Sequence, residues 1–527
     1  MVARRSLWMF GTESDEPSYD ERVSWAGELS GRLGVELTAP RIPAVEDLEL
    51  RPPRIRPPDR LAGCCRQDTW DRAYHAYGND RTLHGVRGHY PNPPDVVAHP
   101  ATEAELEAVL EWCDAEGHVV IPYGGGSSVV EGVTPTADLG PVVTVAMDRF
   151  DQVLEIDSTS RAARVQAGVF GPHLEDQLRP YGYTLRHFPQ SFTGSTLGGW
   201  IATRAGGHYA TNHTHIDDFV ESARMLTPRG WWESRRLPGS GAGPDPNRLV
   251  IGSEGILGVI TEAWLRIQDR PTFRATAGVR FDSWAAGYTA TRLIAQAKLW
   301  PANLRLLDPE LAREAAGLDQ ALLIIGFESA VASQRGPMAQ AVEIARDTGG
   351  QIDDAEIAVA DGTGAPTGRS GAVGAWRDAF IPRGGGLAAG LGMIGGTFET
   401  AITWDRWPEF DHAVRAAAQD ALDDVCGGGT LNCRFTHVYP DGPAPYYTYL
   451  GACPGADPAA QHRAIKRAAS DAIMANGGTI THHHAVGRQH RPWYDEERPD
   501  LFAESLRAVK RTVDPSGLLN PGVLVDP

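Results

Sequence analysis

Positive charge is in short supply: 49 Lys and Arg stand against 67 Asp and Glu over 527 residues, a net charge of −18. A chain this acidic lacks the whole-chain basic footprint of a nucleic-acid binder, so no nucleic-acid partner is expected. Cysteine is scarce as well. Six thiols (Cys64, Cys65, Cys113, Cys426, Cys433, Cys453) form neither a CxxC pair nor a disulfide framework. The nearest candidate for a membrane span, the uncharged run 384–398, is shorter than the ~20 residues a membrane helix needs and is broken by glycines. No apolar stretch follows Arg4 and Arg5, so no signal peptide is expected, and the tail 524–527 is no peroxisomal address. These absences predict a soluble, cytoplasmic protein. Glycine (59) and proline (38) are plentiful, and 42% hydrophobic against 22% charged residues suits a chain with a substantial core and many loops.

The patterning divides the chain into four parts. Residues 1–90 hold a helix at 19–33 and an extended strap, 51–60, whose two Pro-Pro pairs forbid helix. Its arginines read as solvated, with an anionic partner as the minor alternative. Residues 91–268 begin as strand (95–99), helix opened by Thr102 with Glu105 three residues on, strand (119–122) and glycine turn, an α/β unit. Further strands are expected at 142–146, 153–156, 163–165 and 258–267, with a helix at 171–178. Residues 269–475 alternate strands such as 321–325 with helices such as 338–346 and 458–476. Residues 476–527 carry a histidine cluster, His482 to His484.

Three loops of small residues carry the first chemical signal. Pro122-Tyr123-Gly124-Gly125-Gly126-Ser127-Ser128 follows a strand, where glycines let bare N–H groups approach a phosphate. It has neither the G-x-G-x-x-G nor the G-K-[ST] spacing of nucleotide-binding loops. Ser195-Thr196-Leu197-Gly198-Gly199-Trp200 leads into Ile201-Ala202-Thr203-Arg204-Ala205-Gly206, and Glu254-Gly255-Ile256-Leu257-Gly258-Val259-Ile260 comes some fifty residues later. Three such loops in one block suit a long anionic cofactor threaded between them.

Those three segments, in that order and spacing, resemble the FAD-contacting motifs of the flavoproteins typified by vanillyl-alcohol oxidase and p-cresol methylhydroxylase. Within that superfamily the chain is most similar to the alkyldihydroxyacetonephosphate synthases, over roughly residues 70–525. His187-Phe188-Pro189-Gln190-Ser191, Asn303-Leu304-Arg305, Tyr439 through Gly442 to Tyr446, and Thr481-His482-His483-His484-Ala485-Val486-Gly487-Arg488 all match segments of those enzymes. The resemblance implies an α/β (α+β) fold: a two-subdomain FAD-binding domain of the p-cresol methylhydroxylase type, with a cap of antiparallel sheet and helices. It implies FAD held non-covalently, since Tyr123 to Gly126 offers no tethering histidine, with contacts at the three loops and at Gln190 and Ser191.

It implies, too, a transferase without net redox that exchanges the acyl group of acyl-dihydroxyacetone phosphate for a long-chain alcohol. The catalytic residues implied are Tyr446, His482, His483, His484, Arg305 and His187. The substrate phosphate falls to Arg383, with Arg377 as the alternative one short insertion away. Chemically, Tyr446 is expected to have its pKa lowered by nearby cations, the histidines to titrate near neutrality, and the arginines to offer planar forks to phosphate. A metal at the histidines, with His490, is the minor reading, because alternate strand residues face opposite ways and no Cys or carboxylate lies at ligand spacing. His208, His213 and His215 read as polar loop residues, and Tyr447 as a packing residue facing away from Tyr446. Gln190, Phe192 and Arg488 depart from the synthases' usual residues. The competing function is an FAD oxidase or dehydrogenase of an α-hydroxy acid or alcohol; a flavin-binding protein without turnover is the third. Partners are expected to be a lipid substrate, with peripheral membrane contact and a homodimer among the expectations.

Overall fold

The computed structural model describes residues 4–209, 211, 213–362, 386–453 and 457–526. Two sheets build the first domain. Strands β1 (Cys65–Arg66), β2 (Val96–Ala98), β3 (Val119–Tyr123) and β4 (Val142–Ala146) form a four-stranded sheet in the order β1-β2-β4-β3. Its β2-β4-β3 part is parallel, so its strands are buried on both faces and read as continuous Val and Ile runs. The crossover helix Glu103–Glu116 starts at Thr102, whose hydroxyl accepts the N–H of Glu105, and stops at Gly117 in the left-handed region. Glu105 itself reaches back to the N–H of Ala101 rather than to Thr102.

The second sheet runs β5 (Val153–Asp157), β6 (Ala162–Gln166), β10 (Val259–Arg266), β8 (Val220–Thr227) and β9 (Gly230–Glu233), all antiparallel. A two-stranded ribbon, β7 (Tyr183–Thr184) with β11 (Gln268–Asp269), flanks it. The expected helix stands at Gly171–Leu178. The two-subdomain arrangement is thus present, with separate apolar clusters under each sheet.

The cap is a seven-stranded antiparallel sheet in the order β15-β12-β14-β13-β17-β18-β16. Its strands are β12 (Phe273–Phe281), β13 (Asn303–Leu307), β14 (Ala321–Ser329), β15 (Ala358–Asp361), β16 (Met393–Glu399), β17 (Gly429–Val438) and β18 (Pro443–Ala452). Helices Trp284–Gln296, Arg335–Asp347, Trp407–Cys426 and Pro458–Ala475 cover it, and the largest apolar cluster lies between. The C-terminal segment returns to the first domain, where Leu519 bridges to Val120.

The strap 51–60 is extended, and Arg54, Arg56 and Arg60 are exposed, as expected of a solvated run. Arg51 and Arg54 nevertheless both grip the buried carboxylate of Asp95, at 2.6 and 2.8 Å, and pin the strap to the start of β2. For these two arginines the anion lies inside the chain. No helix among the described residues is long and apolar enough to cross a membrane.

Candidate active site

The first glycine loop leaves β3 and lies directly on the second loop. A Cβ placed on Gly125 would sit 2.0 Å from the carbonyl oxygen of Gly194, and one on Gly124 would sit 2.3 Å from Thr196 Oγ1. Gly126 has φ +65°, with Tyr123 Oη and the Arg81 guanidinium where a side chain would go. Glycine is thus required here by loop-on-loop contact as well as by any approach of a phosphate. Thr196 caps the helix Leu197–Thr203, turning its N-terminus toward the same loop.

Between these loops and the cap lies a cavity of about 320 Å³. Gly124, Gly125, Gly126, Ser127, Ser128, Gln190, Ser191, Thr196, Thr203, Ala205 and Gly206 line it on one side, and Thr397, Thr436, Tyr446, His483 and His484 on the other. The fit to an isoalloxazine and its phosphates rests on two features. The glycine cradle would be filled by any Cβ, and Asn79 on the cavity wall leaves its Oδ1 without a hydrogen-bond partner.

Other expected cofactor residues lie behind the wall. Tyr123 is buried and donates to Tyr77 O under the loop. Ser195 accepts from Trp200 Nε1, Gly198 abuts Ala167, and Arg204 pairs with Asp217. Pro122 lies against Gly255, where a Cβ would approach it to 3.1 Å. Glu254 accepts the N–H groups of Val486 and Gly487, while Ile256, Leu257, Val259 and Ile260 are core, with Gly258 tight against Met225. Burial pushes Glu254 up to about 7. This third loop ties the C-terminal segment to the first domain and leaves the cavity to the other two.

The cap's contribution comes from strand register. Arg434 on β17 lies opposite Tyr446 on β18, and Tyr446 lies opposite Glu399 on β16. Directly opposed residues share a face, so a cation, a phenol and a carboxylate stand in one row across three strands. The Arg434 guanidinium sits 4.0 Å over the Tyr446 ring. A register shift between Phe435 and His437 lets successive residues, Thr436 and His437, both reach the site.

Burial raises the Tyr446 pKa despite Arg434, so the expectation of a lowered value is corrected: Tyr446 is a neutral phenol. Burial likewise pushes His482 and His484 well below 6.5, so these two stand neutral rather than titrating near pH 7. Burial takes His187 down to about 3; its ring, against Trp200 and Phe219, has no hydrogen-bond partner on either nitrogen.

The three histidines follow an irregular turn rather than a strand, and all their rings join one cluster with His437, His215 and Tyr446. Glu399 makes the turn, since its carboxylate accepts the Thr481 hydroxyl at 2.6 Å and the backbone N–H groups of His482, His483 and His484 at 2.8, 3.2 and 3.0 Å. A carboxylate does therefore stand beside the histidines, contrary to expectation. His437, His482 and His483 bring ring nitrogens within 4.8 Å of one another.

Arg305 is not an open fork for phosphate. It is 0% exposed, and its guanidinium donates to the ring and carbonyl of His208 and to Thr436 O. Arg383 and its alternative Arg377 lie outside the described residues. His208 and His215 are not idle loop residues: His208 bridges Asn303 and Arg305, and His215 meets His482 at 3.1 Å. His213 is exposed, as expected. His490 is buried on Ala485 O, and Tyr447 faces away from Tyr446, donating to Asp411 at 2.8 Å. Gln190 accepts from Arg434 Nη2 at 3.0 Å, Phe192 packs on Phe188, and Arg488 is a structural tie to Asn520 and Pro521.

Sequence reasoning missed Glu399, Arg434, His437, Phe10 and Asn79 as site residues. Glu399 did leave a signal, a lone charge ending the apolar run of β16. Phe10 and Asn79 left none, because they come from the first 90 residues, read as a flanking segment.

The chain matches the model of the FAD binding domain over residues 94–234 and that of the FAD linked oxidases' C-terminal domain over residues 270–524. It is 28% identical to an alkyldihydroxyacetonephosphate synthase of Dictyostelium discoideum, covering 91% of this chain and 83% of that one. Against the Caenorhabditis elegans enzyme of the same name the identity is 29%, over 85% and 79%. A mitochondrial D-lactate dehydrogenase of Arabidopsis thaliana is 25% identical over 83% and 74%. In fold, the chain superposes on a solved alkyldihydroxyacetonephosphate synthase with TM-score 0.75 at 24% identity, over 94% and 92%. On p-cresol methylhydroxylase the TM-score is 0.63 at 15% identity, over 82% and 90%.

Proposed function

The chain is an alkyldihydroxyacetonephosphate synthase-like member of the FAD-linked oxidase flavoproteins, and from that premise we propose that it exchanges the acyl group of an acyl-dihydroxyacetone phosphate for a long-chain alcohol, with no net redox. The observation that carries this reading is the row Arg434–Tyr446–Glu399, whose Tyr446, with His483 and His484, faces the two glycine loops across one cavity. When bound, the flavin supplies an electron sink that takes up a bonding pair at the substrate carbon and returns it.

The residues of the chain do the rest. Tyr446, neutral and buried, holds its hydroxyl hydrogen where an oxygen of the substrate can accept it. Arg434 over the ring stabilises the negative charge left on the Tyr446 oxygen as the hydrogen shifts to the substrate. His483, on the cavity wall, takes and returns protons at the reacting carbon and at the incoming alcohol. Phe10 and the sheet behind Thr397 and Thr436 exclude water from the exchange.

The oxidase or dehydrogenase reading shares the glycine loops but gives less reason for Tyr446 and the histidines to meet. An anaerobic assay separates the two. Purified yellow protein is given acyl-dihydroxyacetone phosphate and a long-chain alcohol without any electron acceptor. Ether product and free fatty acid over many turnovers are expected. No product, with lasting bleaching of the flavin by a hydroxy acid or alcohol, overturns the transferase. A cytoplasmic homodimer that meets its lipid substrates at a membrane face, with FAD released by acid, completes the proposal; vesicle flotation, sedimentation and acid precipitation test those parts.

A further inference from the structure

The role of Glu399 is unusual for a buried carboxylate. It is 1% exposed and has no Arg or Lys within ion-pair distance among the described residues. Three consecutive backbone N–H groups and one hydroxyl satisfy it instead, and its remaining neighbour is His483 Nδ1, 3.2 Å from Oε2. Its four donors suit a carboxylate, and although burial works against the charge, the neighbouring histidines, His483 foremost, hold the carboxyl well below the usual range, so it is ionised.

An ionised carboxylate only accepts hydrogen bonds, and Nδ1 is the His483 nitrogen that faces it at 3.2 Å, so a hydrogen on Nδ1 is attracted to Glu399 whereas a lone pair there is repelled. His482 Nδ1 is hydrogen-bonded to the same nitrogen at 3.1 Å; with the hydrogen on His483 it is the acceptor, and His482 carries its own hydrogen on Nε2, toward Tyr439 Oη at 2.7 Å. The His483 Nε2 then carries the lone pair and has no hydrogen bond within the described chain, while the residue lines the cavity. His484, by contrast, keeps Nδ1 buried and unpartnered, 3.9 Å from the carboxylate.

We propose that Glu399 is the positioning residue of the site: it bends residues 481–484 so that successive histidine rings converge, and it fixes His483 with its hydrogen on Nδ1 and its lone pair, on Nε2, toward the substrate. The use of that lone pair as a base rests on the transferase reading; the turn and the tautomer do not.

The test therefore needs no substrate. Holoenzyme labelled with ¹⁵N-histidine is examined by long-range ¹⁵N–¹H NMR, with the His483 signals assigned by their loss in His483→Asn. The expected pattern has hydrogen on Nδ1 in the wild type and a mixture of tautomers in Glu399→Gln. Amide exchange across 482–484, followed by mass spectrometry, is expected to speed up at least tenfold in Glu399→Gln. Glu399→Asp, which keeps the charge on a shorter stem, is expected to retain the Nδ1 hydrogen while losing part of the amide protection. Hydrogen on Nε2 in the wild type overturns the proposal, and so does wild-type amide exchange in Glu399→Gln. The wild-type spectrum decides even if Glu399→Gln fails to fold. A synthase assay of the same proteins separates the two levels: an inactive wild type with the expected tautomer removes the transferase and leaves the positioning role standing.

Discussion

The two walls of the cavity are made of different material. On the first-domain side the chain presents backbone: Gly124 and Gly125 interlock with residues 194–196, and Gly126 sits on Tyr123 and Arg81, so tightly that a methyl group has no room. On the cap side it presents side chains ordered by strand register: Arg434, Tyr446 and Glu399 in a row, with the histidine turn hung on the last of them. In the proposed exchange one wall would meet the cofactor by shape and N–H groups, and the other would handle protons. A wall of backbone tolerates no added atom, whereas a wall of side chains keeps its shape when a single functional atom is removed. The two should therefore fail differently.

The largest effect is expected on the backbone wall. Gly125→Ala puts a Cβ 2.0 Å from Gly194 O and 2.8 Å from Ser195 Cα, so one loop must move. The contact is backbone on backbone, and no rotamer relieves it. The variant is expected to purify folded but colourless, with FAD affinity down by at least a hundredfold, as measured by the flavin-to-protein absorbance ratio and by titration with FAD. Full flavin content would show that the two loops are not locked together.

The side-chain wall should break in the opposite sense. Tyr446→Phe removes one oxygen from a ring held by Arg434, His483 and His484, and creates no clash. The protein is expected to stay yellow with unchanged flavin content and lose roughly 10²–10⁴ in turnover, the usual scale for a proton-transfer group. Unimpaired turnover would remove Tyr446 from the chemistry.

The difference between the walls also explains what the sequence made legible. The glycine loops could be read directly, because absent side chains at a strand end leave a local signature, and the helix at Gly171–Leu178 and strand β4 were expected where they stand. The row Arg434–Tyr446–Glu399 could not be read. Its members are 35 and 47 residues apart along the chain (446 − 399 = 47; 434 − 399 = 35), and only pairing of β16, β18 and β17 in that order aligns them. Knowledge of that order is also what turns Glu399 from a lone charge into the anchor of three backbone N–H groups. The protonation states were misread for the same kind of reason. Burial by remote elements, and not the neighbours in sequence, decides that Tyr446, His482 and His484 stay neutral. Glu254 was legible as part of a motif but not in its role, because its partners Val486 and Gly487 lie more than 230 residues later.

The smallest effect distinguishes the walls by charge. Beneath the glycine loop, His99 donates to Asp148 at 2.8 Å and to Asp71 at 3.2 Å, and packs on His75, which in turn contacts Tyr123. Burial would lower its pKa, but the hydrogen bonds and charges of Asp148 and Asp71 win and raise it to about 9. A histidine with a raised folded-state pKa binds its proton more tightly folded than unfolded. Its contribution is therefore complete below about pH 6.5 and is lost as pH climbs through about 9. The size is on the order of 2–3 kcal/mol. The cap's buried His482 and His484 have the opposite shift and contribute nothing in that window. Urea unfolding of the wild type is expected to lose that much stability between pH 7 and 10, and His99→Gln should show a flatter profile. Flavin should be released at the alkaline end while amide exchange over the cap strands β12, β13 and β14 still reports a folded sheet. Simultaneous loss of both signals would show that the two walls unfold as one unit and that the charge at His99 serves the whole molecule.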